Sequence, residues 1–270
     1  MRQRLIWSCV LLLLLANFYT WRGVAARAAG QPTIHFLNVG QGDAILITSG
    51  DRQVLVDGGP DNSALSEIGR IMPTGDRTID LVILTHPHAD HVTGLFSVLE
   101  RYRVNEILAT FVEYDSSLNR EWLKAVSQSG ARLNYVDPAD DYRFNNLYID
   151  TLLPLTSSAQ SADINDDSII LRVGGDRSSV LLMGDAGFAV EDSLLNIYPG
   201  ISADILKVGH HGSRYGSSLN FLQRLNLASA VISVGPNSYG HPAPDTIDRL
   251  NQVGAKLYRT DQSNTVQFNL

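Results

Sequence analysis

The chain has 270 residues, 44% hydrophobic and 18% charged, a balance that excludes a disordered protein and leaves room for a sizeable core. Lysine and arginine total 21 against 28 acids, for a net charge of −7; residues 1–28 carry four arginines and no acid, so the rest of the chain stands at −11. That is a poor electrostatic footprint for holding long nucleic acid by its phosphates, and a single cysteine, Cys9, excludes a disulfide framework.

In chain order, residues 1–28 read first as a signal peptide or an N-terminal membrane anchor. Arg2 and Arg4 precede an apolar run from Leu5 to about Ala16, and Ala26-Arg27-Ala28 has the small-residue spacing of a cleavage site. If Asn17 and Thr20 are tolerated, the run extends to Trp21, near the ~17–25 residues a spanning helix needs, and residues 5–21 then act as a membrane tether. Either way the remainder is expected to be exported, extracellular or periplasmic. Cys9 lies inside the apolar run, so the exported portion contains no thiol.

From residue 31 onward, short aliphatic runs alternate with turn residues. Strands are predicted at 34–39, 44–48 and 53–56, a helix at 63–71, a strand at 81–84, a helix at 93–102 and a strand at 106–109. A helix at 117–129 and strands at 132–136, 147–153, 168–173 and 180–183 follow. The last third reads as a helix at 189–197, a strand at 204–208, a helix at 218–225, a strand at 230–234, a helix at 244–253 closed by Gly254, and strands at 256–258 and 265–268. Two mixed sheets packed face to face with helices outside would bury this pattern, and no linker interrupts a single domain over 31–270.

Three of the seven histidines fall within six positions, His86-Pro87-His88-Ala89-Asp90-His91, just past the 81–84 strand. Side chains two apart at a strand end emerge on one face, so His86 and His88 can converge on one point while Asp90 and His91 turn toward a neighbouring one. Imidazole and carboxylate are the donors expected of zinc, or of manganese where oxygen donors are more numerous. Asp185 follows another strand end and Gly184, placed to reach a central cleft; a carboxylate between two cations offsets their mutual repulsion. His210-His211 follows a third strand, with one imidazole to complete a metal shell and its neighbour to face substrate. Asp57, in Val56-Asp57-Gly58-Gly59, is placed to orient a ligand histidine, His241 to reach the cleft rim, and His35 to be structural.

These residues carry a family resemblance. His86-Pro87-His88-Ala89-Asp90-His91 resembles the HxHxDH signature of the metallo-β-lactamase superfamily, with Asp57, Asp185 and His210-His211 in the expected order. More narrowly, FLNVGQGDAILI at 36–47, LVDGG, VILTHPHADHVTGL, LLMGD, DILKVGHHGS and VGPNSYGHPAPDTIDRL resemble the extracellular hydrolase domain of ComEC-type competence proteins, without a multi-span channel portion. The resemblance implies an α/β fold, a four-layer αββα sandwich, with two divalent ions, Zn or Mn, in the cleft between its sheets. It assigns His86 and His88 to the first ion and Asp90, His91 and one of the pair His210 and His211, with His211 favoured, to the second; Asp185 bridges. It also implies hydrolysis, with a phosphodiester, DNA among the candidates, as substrate.

The expected reaction is metal-assisted hydrolysis, in which ion charge lowers the pKa of water and the resulting nucleophile attacks phosphorus in line. Catalytic roles fall to His210, Asp90 and Asp57, with Ser213 and His241 contacting substrate. A helix starting near Val92 would aim its positive end at anionic oxygens. One departure from the family pattern stands out. No histidine occurs between His91 and His210, and the stretch where many members place another ligand is Asn165-Asp166-Asp167-Ser168, so the first ion is expected to have a weaker shell. The alternatives are a lactonase or β-lactamase using the same centre, and a non-catalytic DNA-binding or docking component descended from a hydrolase.

Overall fold

The computed structural model describes residues 7–8, 10–20, 30–111, 114–137, 141–154 and 163–270; Arg2, Arg4, Cys9 and the Ala26-Arg27-Ala28 site lie outside the described residues. Residues 10–20 are helical, and among the described residues no helix is long and apolar enough to cross a membrane.

Two seven-stranded sheets form the body. The first contains β1 (Thr33–Phe36), β2 (Ile45–Ser49), β3 (Arg52–Val56), β4 (Thr78–Leu84), β5 (Arg103–Ala109), β6 (Arg132–Tyr135) and β14 (Val266–Asn269), in the order β14-β1-β2-β3-β4-β5-β6. The second contains β7 (Tyr142–Phe144), β8 (Leu147–Leu153), β9 (Ile170–Gly174), β10 (Ser179–Leu182), β11 (Ile205–Lys207), β12 (Ser229–Ile232) and β13 (Lys256–Arg259), in the order β13-β12-β11-β10-β9-β8-β7. Each sheet is antiparallel in one half and parallel in the other, with β3 to β6 and β10 to β13 running parallel.

Why these segments read as unbroken aliphatic runs follows from their burial on both faces. Ile45, Ile47, Val54, Val56, Leu81 and Ile83 point into a core shared with Val180, Leu182 and Val231 of the second sheet. The intervening Leu46, Leu55 and Val82 point the other way, under α1 (Ser63–Ile71), α2 (Ala89–Arg101) and α3 (Ser117–Ser129). Leu181, Ala230 and Ile232 do the same under α4 (Phe188–Ile197), α5 (Leu219–Leu225) and α6 (Pro244–Gln252). The period of two along each strand therefore yields three apolar layers and the αββα sandwich.

Helix limits follow local chemistry. Ser116 accepts from the Asn119 N–H to start α3, Gly130 ends it in the left-handed region, and Trp122 and Val126, one turn apart, face the core. The helix predicted to start at residue 93 instead starts at Ala89, which brings Asp90 and His91 into its first turn. His88 at its N-cap makes no side-chain capping bond and the apolar period begins only at Val92, so the sequence carries no start signal there. Strand β7 and the single turn α7 (Thr260–Ser263) were also not predicted, both being too short to show a period.

Candidate metal centre

The centre forms where strand ends of both sheets meet. Asp57 follows β3, Thr85, His86 and His88 follow β4, Asp185 follows β10, and His210 and His211 lie in a 3-10 turn, Gly209–Gly212, after β11. Asp90 and His91 come from the start of α2, which is seated by a close approach: a Cβ on Gly94 would collide with the Gly58 carbonyl oxygen. His210 and His211 both hold left-handed backbone angles, φ 48° and 51°, a conformation that costs non-glycine residues energy, and both present Nε2 toward Asp185 Oδ2.

Asp185 Oδ2 is the hub. Imidazole Nε2 atoms surround it at 3.3 Å (His91), 3.5 Å (His211), 3.9 Å (His86) and 3.9 Å (His210). His91 Nδ1 is held 2.8 Å from Asp57 Oδ2, and Asp57 is itself fixed by the Thr85 backbone N–H and hydroxyl, each donating at 2.8 Å. His211 Nδ1 lies 3.0 Å from the Ser233 carbonyl, which directs Nε2 toward Asp90 Oδ2 at 3.2 Å. Each of these rings thus has one nitrogen engaged outward and the other aimed at the hub, the arrangement by which proteins present imidazole to a metal.

The donor set fits divalent ions. His91 Nε2, His211 Nε2 and Asp185 Oδ1 are buried without a hydrogen-bond partner, and one donor atom each from Asp90, His91, Asp185 and His211 lies within 4.8 Å of the others. His86 Nε2 and His88 Nδ1 lie 3.2 Å apart, within hydrogen-bond distance, at the edge of this set. Electrostatics points the same way. Burial disfavours the charged form of His91, yet Asp185 and Asp57 hold its pKa well above the usual histidine value. His211 is likewise opposed by burial, but Asp185 and Asp90 push it up to about 9. Burial drives His86 down instead, with His91 adding repulsion. Buried carboxylates here demand positive charge, which protonated imidazoles supply in the bare cluster and a divalent ion can supply in their place.

Most residues expected from sequence gather here. His210, a third exposed, lies beside His241, ring centroids 5.4 Å apart, at the mouth of the cleft. Ser168, in the stretch where sequence placed the missing histidine, lies behind His86, its hydroxyl 3.4 Å from the outward Nδ1 and accepting from the Asp185 N–H at 3.1 Å. His35 sits in β1, buried, beside Thr33 at 3.1 Å, away from the cluster. Ser213, expected to contact substrate, is buried: its carbonyl accepts from the Thr246 hydroxyl at 2.8 Å and its hydroxyl from the Tyr215 N–H at 3.4 Å.

Sequence reasoning missed a buried ion pair at the heart of the site. Lys207 Nζ pairs with Asp43 Oδ2, donates to the Gly184 carbonyl at 3.0 Å and lies 4.0 Å from Asp185 Oδ1. Asp43 in turn approaches His211 Nδ1 at 3.7 Å and His91 Nδ1 at 4.0 Å. The available signal was a lysine inside the apolar strand Ile205–Lys207, where an unpaired ammonium would not be tolerated.

Comparison with known proteins agrees with this fold. The profile of the metallo-beta-lactamase superfamily matches residues 37–235. ComE operon protein 3 of Bacillus subtilis (strain 168) is 28% identical over 254 residues, covering 87% of this chain and 32% of that protein. Competence protein ComA of Neisseria gonorrhoeae is 30% identical over 261 residues, covering 96% of this chain and 35% of that one. The chain thus spans about a third of the length of these curated relatives. Among solved structures, the metallo-beta-lactamase fold protein YhfI from Bacillus subtilis superposes with a TM-score of 0.61 at 15% identity, over 89% of this chain and 100% of that chain. With its sandwich, its strand-end cluster and a profile match over most of its length, the chain belongs to the metallo-beta-lactamase superfamily.

Proposed function

We propose that this protein is an exported, metal-dependent phosphodiesterase or nuclease whose reaction centre is the cluster around Asp185. The observation that carries the metal-dependent reading is the convergence of four imidazole Nε2 atoms on one buried carboxylate oxygen. The choice of phosphodiester over lactam or lactone rests on the likeness to competence proteins.

In this reading His86, His88, Asp90, His91, His211 and Asp185 would hold the divalent ions, His86 and His88 one of them and Asp90, His91 and His211 the other, with Asp185 shared. Bound there, the ions supply Lewis acidity and activate water at neutral pH. The chain's own residues do the rest. Asp57 keeps the His91 proton on Nδ1, and the Ser233 carbonyl does the same for His211, so both rings present a lone pair inward. Asp43 and Lys207 back the cluster from beneath. The positive end of α2 favours anionic oxygens. His210 and His241, at the open mouth, are placed to bind the phosphate and give a proton to the leaving oxygen. Residues 1–28 act as signal or anchor and 31–270 as the hydrolase unit.

The test is Asp185→Ala in folded protein supplied with zinc or manganese, with bis-p-nitrophenyl phosphate and a chromogenic lactam as parallel substrates. The wild type is expected to hydrolyse the phosphodiester and the variant to lose that activity. Undiminished turnover by the variant, or wild-type turnover of the lactam alone, refutes the proposal.

A further inference from the structure

On the His88 side of the centre, the C-terminal ends of the parallel strands β4, β5 and β6 open onto a hollow of about 420 Å³, closed by α3. Pro87, between His86 and His88, forms one wall; Phe111, Tyr114, Leu123 and Tyr135 form others. Tyr114 joins the hollow to the centre, its ring centroid 5.9 Å from that of His88. Phe111 and Tyr135 meet edge to face at 5.1 Å, yet they remain 45% and 40% exposed, and Tyr114 is 36% exposed. Aromatic surface left in water beside a reaction centre is unfavourable until something covers it.

The hollow itself narrows what that is. Its rim charges, Arg120 and Asp115, are paired with each other, and apart from Thr110 and Asn119 the rest of its lining is aliphatic and aromatic. The chain's acidic balance, −7, offers little general attraction for phosphates, so affinity for a phosphodiester must come from elsewhere. Stacking on aromatic side chains is how proteins hold bases without reading their sequence.

We propose that this hollow is a nucleobase subsite, which stacks the base adjoining the phosphodiester presented to the metal centre. The inference rests on the phosphodiesterase reading and narrows the substrate to a nucleotide-bearing phosphodiester. Its test compares a phosphorothioate-linked thymidine octamer with an abasic octamer of the same length and charge, titrated calorimetrically into the full, metal-loaded chain. Wild type should bind the base-bearing strand roughly 5- to 150-fold more tightly. In the double variant Phe111→Leu, Tyr135→Leu, which leaves Tyr114 in place, that ratio should fall several-fold toward one, and in Phe111→Tyr, Tyr135→Phe, which keeps two flat rings, it should persist. A ratio near one in wild type, or an unchanged ratio in the leucine variant, overturns the subsite. Turnover of bis-p-nitrophenyl phosphate in the same wild-type preparation separates the two claims. Turnover without base preference defeats the subsite alone; base preference without turnover defeats the phosphodiesterase reading and leaves a base-binding site.

Discussion

Replacing Lys207 with methionine removes a buried cation while keeping most of the side chain's volume. Lys207 is 0% exposed and its partner Asp43 1%, so neither charge can turn to water when the other is deleted. Breaking a buried pair costs ~3–5 kcal/mol, because the surviving charge stays desolvated. In Lys207→Met the Asp43 carboxylate keeps the His211 ring 3.7 Å away, which partly compensates it and places the loss near the lower limit, ~3 kcal/mol. At ~2–4 °C per kcal/mol for a domain of this size, the unfolding midpoint should fall by roughly 6–12 °C. The double variant Asp43→Asn, Lys207→Met leaves no stranded charge and should lose far less than the two single changes summed, a coupling of ~2 kcal/mol. Thermal unfolding of the four proteins by circular dichroism measures this cycle. Single variants within ~0.5 kcal/mol of wild type, or a double variant equal to the sum of the singles, would refute the reasoning.

Metal binding should release protons. His211, with its pKa pushed up to about 9, is protonated at neutral pH in the bare cluster and must be neutral to donate its lone pair, so affinity should rise with pH up to about 9. Calorimetry in two buffers of different ionisation enthalpy reads the proton count; zero release at pH 7 contradicts it. Asp57→Asn should weaken metal affinity ~10- to 100-fold by freeing the His91 ring, measured by competition with a chelating dye, and wild-type affinity would show that Asp57 does not orient the ligand. Burial lowers the His35 pKa to about 4, below its unfolded value near 6.5, so the unfolded chain binds the extra proton between these values. Its contribution is intact above pH 6.5 and is lost as pH falls toward 4, by at most roughly 3 kcal/mol. His35→Gln should flatten that part of the stability profile, and an unchanged acid slope in urea melts would exclude the effect.

How far the molecule was legible in its sequence depended on whether each signal was local. The strand runs showed because their residues alternate between two apolar layers, as Val54, Leu55 and Val56 do. The His86 to His91 cluster showed because its spacing matches a strand end followed by a turn. The start of α2 did not, since His88 supplies no cap and Asp90 and His91 are polar positions on a helix that turns them toward the cleft. Asp43 and Lys207 escaped notice for a different reason. Each alone reads as an ordinary charge, and their pairing exists only once β11 is laid beside the loop before β2. Ser213 illustrates the limit of adjacency: it is near the histidine pair in sequence, but its burial and its contact with the Tyr215 N–H appear only in the folded loop.

The claim on which the functional account depends is that imidazoles and carboxylates from separate strand ends assemble around divalent ions. Elemental analysis of the purified chain, equilibrated with zinc or manganese and then dialysed, tests it most directly. Close to two ions per wild-type chain, with a reduced content in folded Asp185→Ala, is the predicted result. A wild-type chain that is folded yet retains no ion, or an Asp185→Ala chain that retains as many ions as wild type, would contradict it.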